Sequence, residues 1–328
     1  MFLPTSYTAA LIIMLFGMFF WGAWPNSFKL TRNWRFELFY WDYAIGIFLT
    51  SIVIGLTLGT FFGNPPTYLM NIAGADRSAW LYAIAAGALW NVGNILLVMG
   101  VALVGMAVAF PLSIGLALVC GVIGSYMVMP RGNPALLFTG VAMVFVAVIL
   151  NSLAYRAKAV EQKKVVSKNG LIACVASGIF FSGFGPLVGK ALSTATPLGP
   201  YGICSFFTFG ALLTTVPMMM YIMRHPVEGT PLGLPDYRKG TAKEHGAGLL
   251  GGFIWGLGTA STFVPAGMVG IALAYAIGQA NPLIAALFGV FIWQEFKGAP
   301  RRAQVLLGFM FLLYVAGLLT LATSFKSA

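Results

Sequence analysis

Long apolar runs separated by short polar breaks extend over the whole chain, and the runs share one length. Stretches near 7–28, 41–62, 79–101, 104–128, 134–155, 169–190, 200–223, 247–266, 268–293 and 303–324 are each dominated by apolar residues. About 20 such residues cross roughly 30 Å of hydrocarbon as a helix. We number these ten predicted spans in chain order. The runs are continuous rather than alternating with a period of two, so they predict helices and not the strands of a barrel. Apolar character hardly falls between spans 3 and 4, or between 8 and 9, which makes those boundaries the softest. Composition agrees with the pattern: of 328 residues 59% are hydrophobic and 8% charged, against about 25% charged in soluble domains. Such a chain cannot cover a surface facing water. The class is all-α integral membrane, with the lipid bilayer as its main solvent.

The net charge of +11 would suit a nucleic-acid binder, but its distribution excludes one. Fifteen of the 19 basic residues fall in the loops after spans 1, 5, 7 and 9, among them Lys29, Arg32, Arg35, Lys163, Lys164 and Arg238. The other side of the membrane holds only Arg77, Arg131, Lys190 and Lys326. Basic residues in short loops stay in the cytoplasm. This places both termini outside the cytoplasm, in a multi-pass protein of the inner or plasma membrane. The first 30 residues lack the basic start of a cleavable leader. Cys120, Cys174 and Cys204 all fall within spans, where they read as small packing residues and not as a disulfide framework.

The two halves repeat. Residues 17–29, GMFFWGAWPNSFK, match 178–190, GIFFSGFGPLVGK, at six of 13 positions, including Pro25 with Pro186 and Lys29 with Lys190. Residues 90–124 match 255–289 at eight of 35, including Trp90 with Trp255 and Val104–Gly105 with Val269–Gly270. The offsets, 161 and 165 residues, are nearly equal and in order. The chain therefore divides into a five-helix repeat at 1–155, a short basic cytoplasmic linker at 156–168 and a second five-helix repeat at 169–328. An odd number of crossings inverts the second half, an arrangement typical of secondary transporters working by alternating access. A duplicated bundle with no transport role is the plainer alternative. No phosphate-binding loop points to direct use of ATP.

Helix-breaking residues fall inside several spans. Pro25 and Pro186 interrupt spans 1 and 6, Pro111 span 4 and Pro282 span 9. Proline removes a backbone donor, and in lipid such a break is tolerated only against protein or a wet cavity. Beside the break in span 9 lie Gln279 and Asn281. Gln279 reads as cavity-lining or as an interhelical hydrogen bond, and Asn281 as a local backbone partner. Span 8 carries Gly248, Gly252 and Gly256 in a stripe, matched in span 3 by Ala83, Gly87 and Asn91. Asn91 and Asn94 share one helix face, available to a solute or to neighbouring helices. The candidate substrate contacts are thus Trp24, Asn91, Asn94 and Gln279, lining one central cavity between the halves. Trp21, Trp90 and Trp255 are further stacking candidates, with core packing as their alternative. Acids are scarce. Asp42 is the candidate for coupling to protons, or else serves its helix N-terminus. Glu295 reads as a surface ion pair with the basic residues after it, and His225 and His245 as solvated loop residues. No catalytic constellation, metal site or cofactor site is indicated, and the oligomeric state is unassigned.

GAWPNSFKL followed by WDYAIGIFLTSIVIGLTLG resembles the first two spans of the ureide permease family, within the drug/metabolite transporter superfamily. That family has a tryptophan-proline late in span 1 and an aspartate-tyrosine opening span 2, the places held here by Trp24, Pro25, Asp42 and Tyr43. WQEFKGAPRRAQVLLGFMFLLYVAGL resembles the junction before the last span in ureide permeases and in related bacterial glucose/ribose porters. The long hydrophilic central loop of plant ureide permeases is represented here only by 156–168. The resemblance implies a secondary permease, not an enzyme, for uptake of a small neutral solute: a sugar such as ribose or glucose, or a ureide or nucleobase. A drug or metabolite exporter of the same superfamily, or a non-transporting membrane scaffold, are the alternatives.

Loop charge makes the topology testable. A cysteine introduced as Val160→Cys should react with a membrane-impermeant maleimide only after permeabilisation; labelling of intact cells would reverse every loop assignment.

Overall fold

A computed structural model describes residues 1–31, 34–158, 167–227 and 229–325. Arg32, Lys163, Lys164, Lys326 and most of the 156–168 segment lie outside the described residues. Ten helices are long and apolar enough to cross a membrane: Tyr7–Phe28, Phe36–Thr57, Arg77–Val104, Met106–Val128, Pro134–Lys158, Lys168–Ala191, Pro200–Arg224, Ala242–Val269, Ile271–Ile292 and Arg301–Ser324. Span 2 begins and ends about five residues before its expected position. Phe36 and Phe39 draw its first turn into the protein by packing edge-on against Phe28, and Gly59, Gly63 and the Pro65–Pro66 pair follow its end. Two short helices, Tyr68–Gly74 and Leu234–Arg238, lie in the loops after spans 2 and 7.

The two soft boundaries are each made by one glycine. Gly105 (φ +79°) separates spans 3 and 4, and Gly270 (φ +89°) separates spans 8 and 9. Only glycine adopts this backbone without a Cβ clash, so the chain reverses without any polar loop. The two glycines are counterparts in the repeat. The broken helices also correspond. In span 4 the ladder widens to a π-helical segment, Pro111–Gly115. In span 9 the helix Ile271–Gly278 stops, Gln279–Asn281 turn, and Pro282 opens Pro282–Leu287. The matched prolines differ: Pro25 starts a separate short helix, Pro25–Phe28, whereas Pro186 lies inside the unbroken Lys168–Ala191.

The chain forms two compact units, each drawn from both halves of the sequence. Unit 1 comprises Met1–Asn91 and Leu187–Met268; unit 2 comprises Val92–Pro186 and Val269–Ala328. In unit 1, span 2 packs on span 7. A Cβ on Gly46 of span 2 would lie 2.7 Å from the Leu249 carbonyl oxygen, and one on Gly252 of span 8 would lie 2.7 Å from Gly46 Cα. On the other flank, Gly87 of span 3 meets the Phe207 backbone and Gly210 of span 7 meets the Ile84 carbonyl. Gly87 and Gly252 are repeat counterparts. Lipid supplies no hydrophobic drive between helices, so close approach through small residues carries their association. In unit 2, span 5 packs on span 10 and span 4 on span 9. Gly140 and Gly317 face each other there, a Cβ on either falling 3.1 Å from the other's carbonyl oxygen. Spans 2 and 7, 4 and 9, and 5 and 10 each join a helix to its counterpart from the other half, and the 2–8 and 3–7 contacts are counterparts of each other.

These contacts leave no room for a side chain. Gly87→Val and Gly252→Val should each cost about 1–3 kcal/mol through overpacking, read as a lower midpoint of thermal unfolding in detergent. Gly308→Ala, where a Cβ meets nothing within 4 Å, should leave the midpoint unchanged.

Candidate functional site

Most of the candidate groups gather in unit 1. Trp21 and Trp255 stack with ring centroids 5.7 Å apart, and Trp90 lies 4.1 Å from Trp255. All three are buried, and the Trp21 indole donates to Thr259 Oγ1 at 3.2 Å. Phe207 joins this cluster from span 7. The tryptophans paired by the repeat, Trp90 and Trp255, thus touch. One helical turn beyond Trp21, Trp24 is only half-buried and stacks on Tyr43 at 4.4 Å. The Tyr43 hydroxyl is buried without a hydrogen-bond partner.

Asn91 is buried and already engaged. Its Oδ1 accepts from the Tyr40 hydroxyl at 2.7 Å and from Thr215 at 3.4 Å, and its Nδ2 donates to Thr214 Oγ1 at 2.9 Å. In this conformation the amide ties spans 2, 3 and 7 together. Asn94 and Gln279 are also buried, but both belong to unit 2. Gln279 neighbours the Tyr275 hydroxyl, which in turn donates to the Ala117 carbonyl at 3.2 Å and the Phe181 carbonyl at 3.1 Å. Asn281 donates to the Gly278 carbonyl at 3.0 Å, capping the break locally. The structure therefore places Trp21, Trp24, Trp90, Trp255 and Asn91 in one unit, and Asn94 and Gln279 in the other.

One group differs from its expected surroundings, and another has a partner that was not expected. His245 is not a solvated loop residue: its Nδ1 lies 2.8 Å from Asp42 Oδ2, with its side chain 26% exposed and that of Asp42 6%. The other carboxylate oxygen, Oδ1, accepts from the Tyr237 hydroxyl at 2.6 Å. Burial, reinforced by the bond to Asp42 and by its charge, pushes the Tyr237 phenol well up, so it remains a donor. A signal for His245 was present in the sequence. It continues the Gly248–Gly252–Gly256 stripe by one turn, and that stripe faces span 2. Glu295, in turn, accepts from the Tyr155 hydroxyl at 3.0 Å, a partner 140 residues away that spacing could not reveal.

The sugar transport protein family model matches residues 44–322. The chain belongs to that family. The sugar transport match covers spans 3 to 9 in full and most of spans 2 and 10. Ureide permease 1 of Arabidopsis thaliana is 24% identical, with 99% of each chain covered. A putative sugar uptake protein of Streptococcus agalactiae is 23% identical over 96% of this chain and 99% of its own. An L-rhamnose-proton symporter of Pectobacterium atrosepticum is 26% identical over 55% of this chain and 54% of its own. A solved crystal structure matches in fold with a TM-score of 0.66 at 16% identity, covering 96% of both chains.

The Asn91 network gives a direct expectation. Asn91→Ala removes the acceptor of the 2.7 Å bond from the Tyr40 hydroxyl and the donor to Thr214, whose own hydroxyl still bonds the Gly210 and Ala211 carbonyls. Each hydrogen bond so lost costs about 0.5–1.5 kcal/mol, so the unfolding midpoint should fall. An unchanged midpoint would free Asn91 from this scaffold role.

Proposed function

We propose that the protein is a secondary permease that takes up a small, neutral, polar solute by alternating access. The observation that carries this reading is the chemistry of the interior. Among the buried polar side chains of the described residues there are hydroxyls and amides, and one charge, Asp42. A buried charge without a partner is costly, so an interior of this kind suits an uncharged molecule that offers hydrogen bonds and a flat face. Sugars and ureides or nucleobases both answer that description, and the names of the relatives fall in these two groups. The compact units support the cycle: the chain passes between them after Asn91, after Pro186 and just before Gly270, and at the last two a missing donor and a left-handed glycine ease bending. Loop charge supports insertion in the inner or plasma membrane with both termini outside, and an inverted relation between repeats 1–155 and 169–328.

Within unit 1 we assign the first contact to Trp24 and Tyr43. Trp24 offers a half-exposed ring face, and Tyr43 a buried hydroxyl that no protein group satisfies. A solute hydroxyl or amide would fill that vacancy. Taken by itself, unit 2 offers a solute the amide of Gln279, at the break in span 9, and that of Asn94. The tryptophan cluster of Trp21, Trp90 and Trp255 supports the platform.

Uptake of radiolabelled L-rhamnose, D-ribose, D-glucose, allantoin and uracil into proteoliposomes identifies the solute. Tyr43→Phe keeps the ring and its stack and removes only the unpartnered hydroxyl. Folding stability should hold, while affinity for the solute falls roughly 2- to 13-fold, the equivalent of one neutral hydrogen bond. Gln279→Ala should act in the same range. Wild-type affinity in both variants would overturn the site. Failure to take up any of the five would overturn the solute class.

A further inference from the structure

The one buried charge among the described residues is not isolated. We propose that Asp42, His245 and Tyr237 form a proton-binding site at the end of spans 2 and 8, and that this site couples the solute cycle to protons; the coupling role rests on the permease reading above. Three segments meet here within unit 1. Asp42 lies in the second turn of Phe36–Thr57, His245 in the first turns of Ala242–Val269, and Tyr237 in the short helix Leu234–Arg238. Gly248 allows the approach, since a Cβ there would lie 2.5 Å from Asp42 Cβ.

The hydrogen bonds place a carboxyl, an imidazole and a phenol in direct contact. Oδ1 accepts from the Tyr237 hydroxyl at 2.6 Å, and Oδ2 lies 2.8 Å from His245 Nδ1, so one proton is shared between carboxyl and ring. We take this proton to rest on Nδ1, which makes Asp42 a carboxylate and leaves Nε2 open to a second proton. The Trp34 ring lies edge-on to the imidazole at 5.5 Å, and Gly240 lies against Nε2. Other charges nearby are committed elsewhere. Glu244 bonds the Thr241 amide and hydroxyl, though its carboxyl is also drawn down slightly by His245. Lys239 pairs with Asp236, and Arg35 with Glu37.

His245 is the wetter partner and Asp42 the drier one, so a proton has a defined route. It binds at Nε2, making an imidazolium held by the carboxylate. Passing the Nδ1 proton to Oδ2 then leaves a neutral imidazole protonated at Nε2 and a neutral Asp42. One proton is gained in all. The loss of the carboxylate's charge weakens the hold on Tyr237 and on the segment that carries it. Protonation is thereby tied to release of the connection between spans 7 and 8.

The chain has two histidines, so His225→Gln leaves His245 as the sole imidazole signal. Histidine-labelled protein in micelles, studied by nitrogen-15 NMR, should show the neutral ring protonated at Nδ1. Free histidine prefers the opposite tautomer. Asp42→Ala should restore the ordinary Nε2–H form. In proteoliposomes the pH profile of solute uptake should change in Asp42→Asn and His245→Gln. Should Asp42→Ala not fold, Asp42→Asn decides the matter through that profile, since it removes the charge that holds the imidazolium. An Nε2–H ring in the parent protein, or a tautomer unmoved by Asp42→Ala, would overturn the site. A wild-type pH profile in Asp42→Asn would reduce the cluster to a structural tie. If no solute is taken up at all, the permease reading fails, and the NMR tautomer still decides whether the Asp42–His245 pair exists.

Discussion

The backbone of a chain in lipid must satisfy its own hydrogen bonds, and every irregular feature of this protein answers to that requirement. The break in span 9 shows how. Gln279, Ala280 and Asn281 each donate their amide to a carbonyl three or four residues earlier, and the Asn281 side chain adds a second donor to Gly278. In span 4, Pro111 cannot donate, and the ladder accommodates it by widening to a π-helical turn. The same requirement explains the junctions at Gly105 and Gly270. A reversal through one glycine leaves almost no backbone to satisfy, as the Gly105 amide, bonded to the Val101 carbonyl at 2.9 Å, illustrates.

With backbone needs met inside each helix, association rests on contact distance. The glycine contacts of spans 2 and 8, 3 and 7, and 5 and 10 bring helices together at backbone range. They also position the polar groups. Gly248 seats His245 against Asp42, and the Gly87–Phe207 and Gly210–Ile84 contacts bring Thr214 within reach of Asn91. Side-chain chemistry here depends on where Cβ atoms are missing.

An interior rich in hydroxyls and amides discriminates by unmet hydrogen bonds rather than by charge. That logic favours neutral solutes and leaves Asp42 with a separate task. Both of its oxygens have hydrogen-bond partners within the protein, whereas the Tyr43 hydroxyl next to it in sequence has none. Adjacent residues on one helix thus meet different surroundings, because successive positions point about 100° apart around the helix axis.

The ten helices, their order and the weak repeat were legible in the sequence, because hydrocarbon thickness imposes span length and glycine and proline mark the breaks. Trp90 and Trp255 could be matched from their offset alone, and they do meet. The sequence also supplied Asp42 and the candidate amides, since polar residues stand out against an apolar background. Only the tertiary structure decided their partners. It bound Asn91 to Tyr40 and Thr214, separated Asn94 and Gln279 into a unit apart from Trp24, and gave Asp42 the histidine that loop composition had assigned to water. Span identity is local, fixed by roughly 20 consecutive residues and their solvent. Partnership between residues 203 positions apart, as for Asp42 and His245, is set by which helix faces lack side chains and so touch, and no local pattern carries that information.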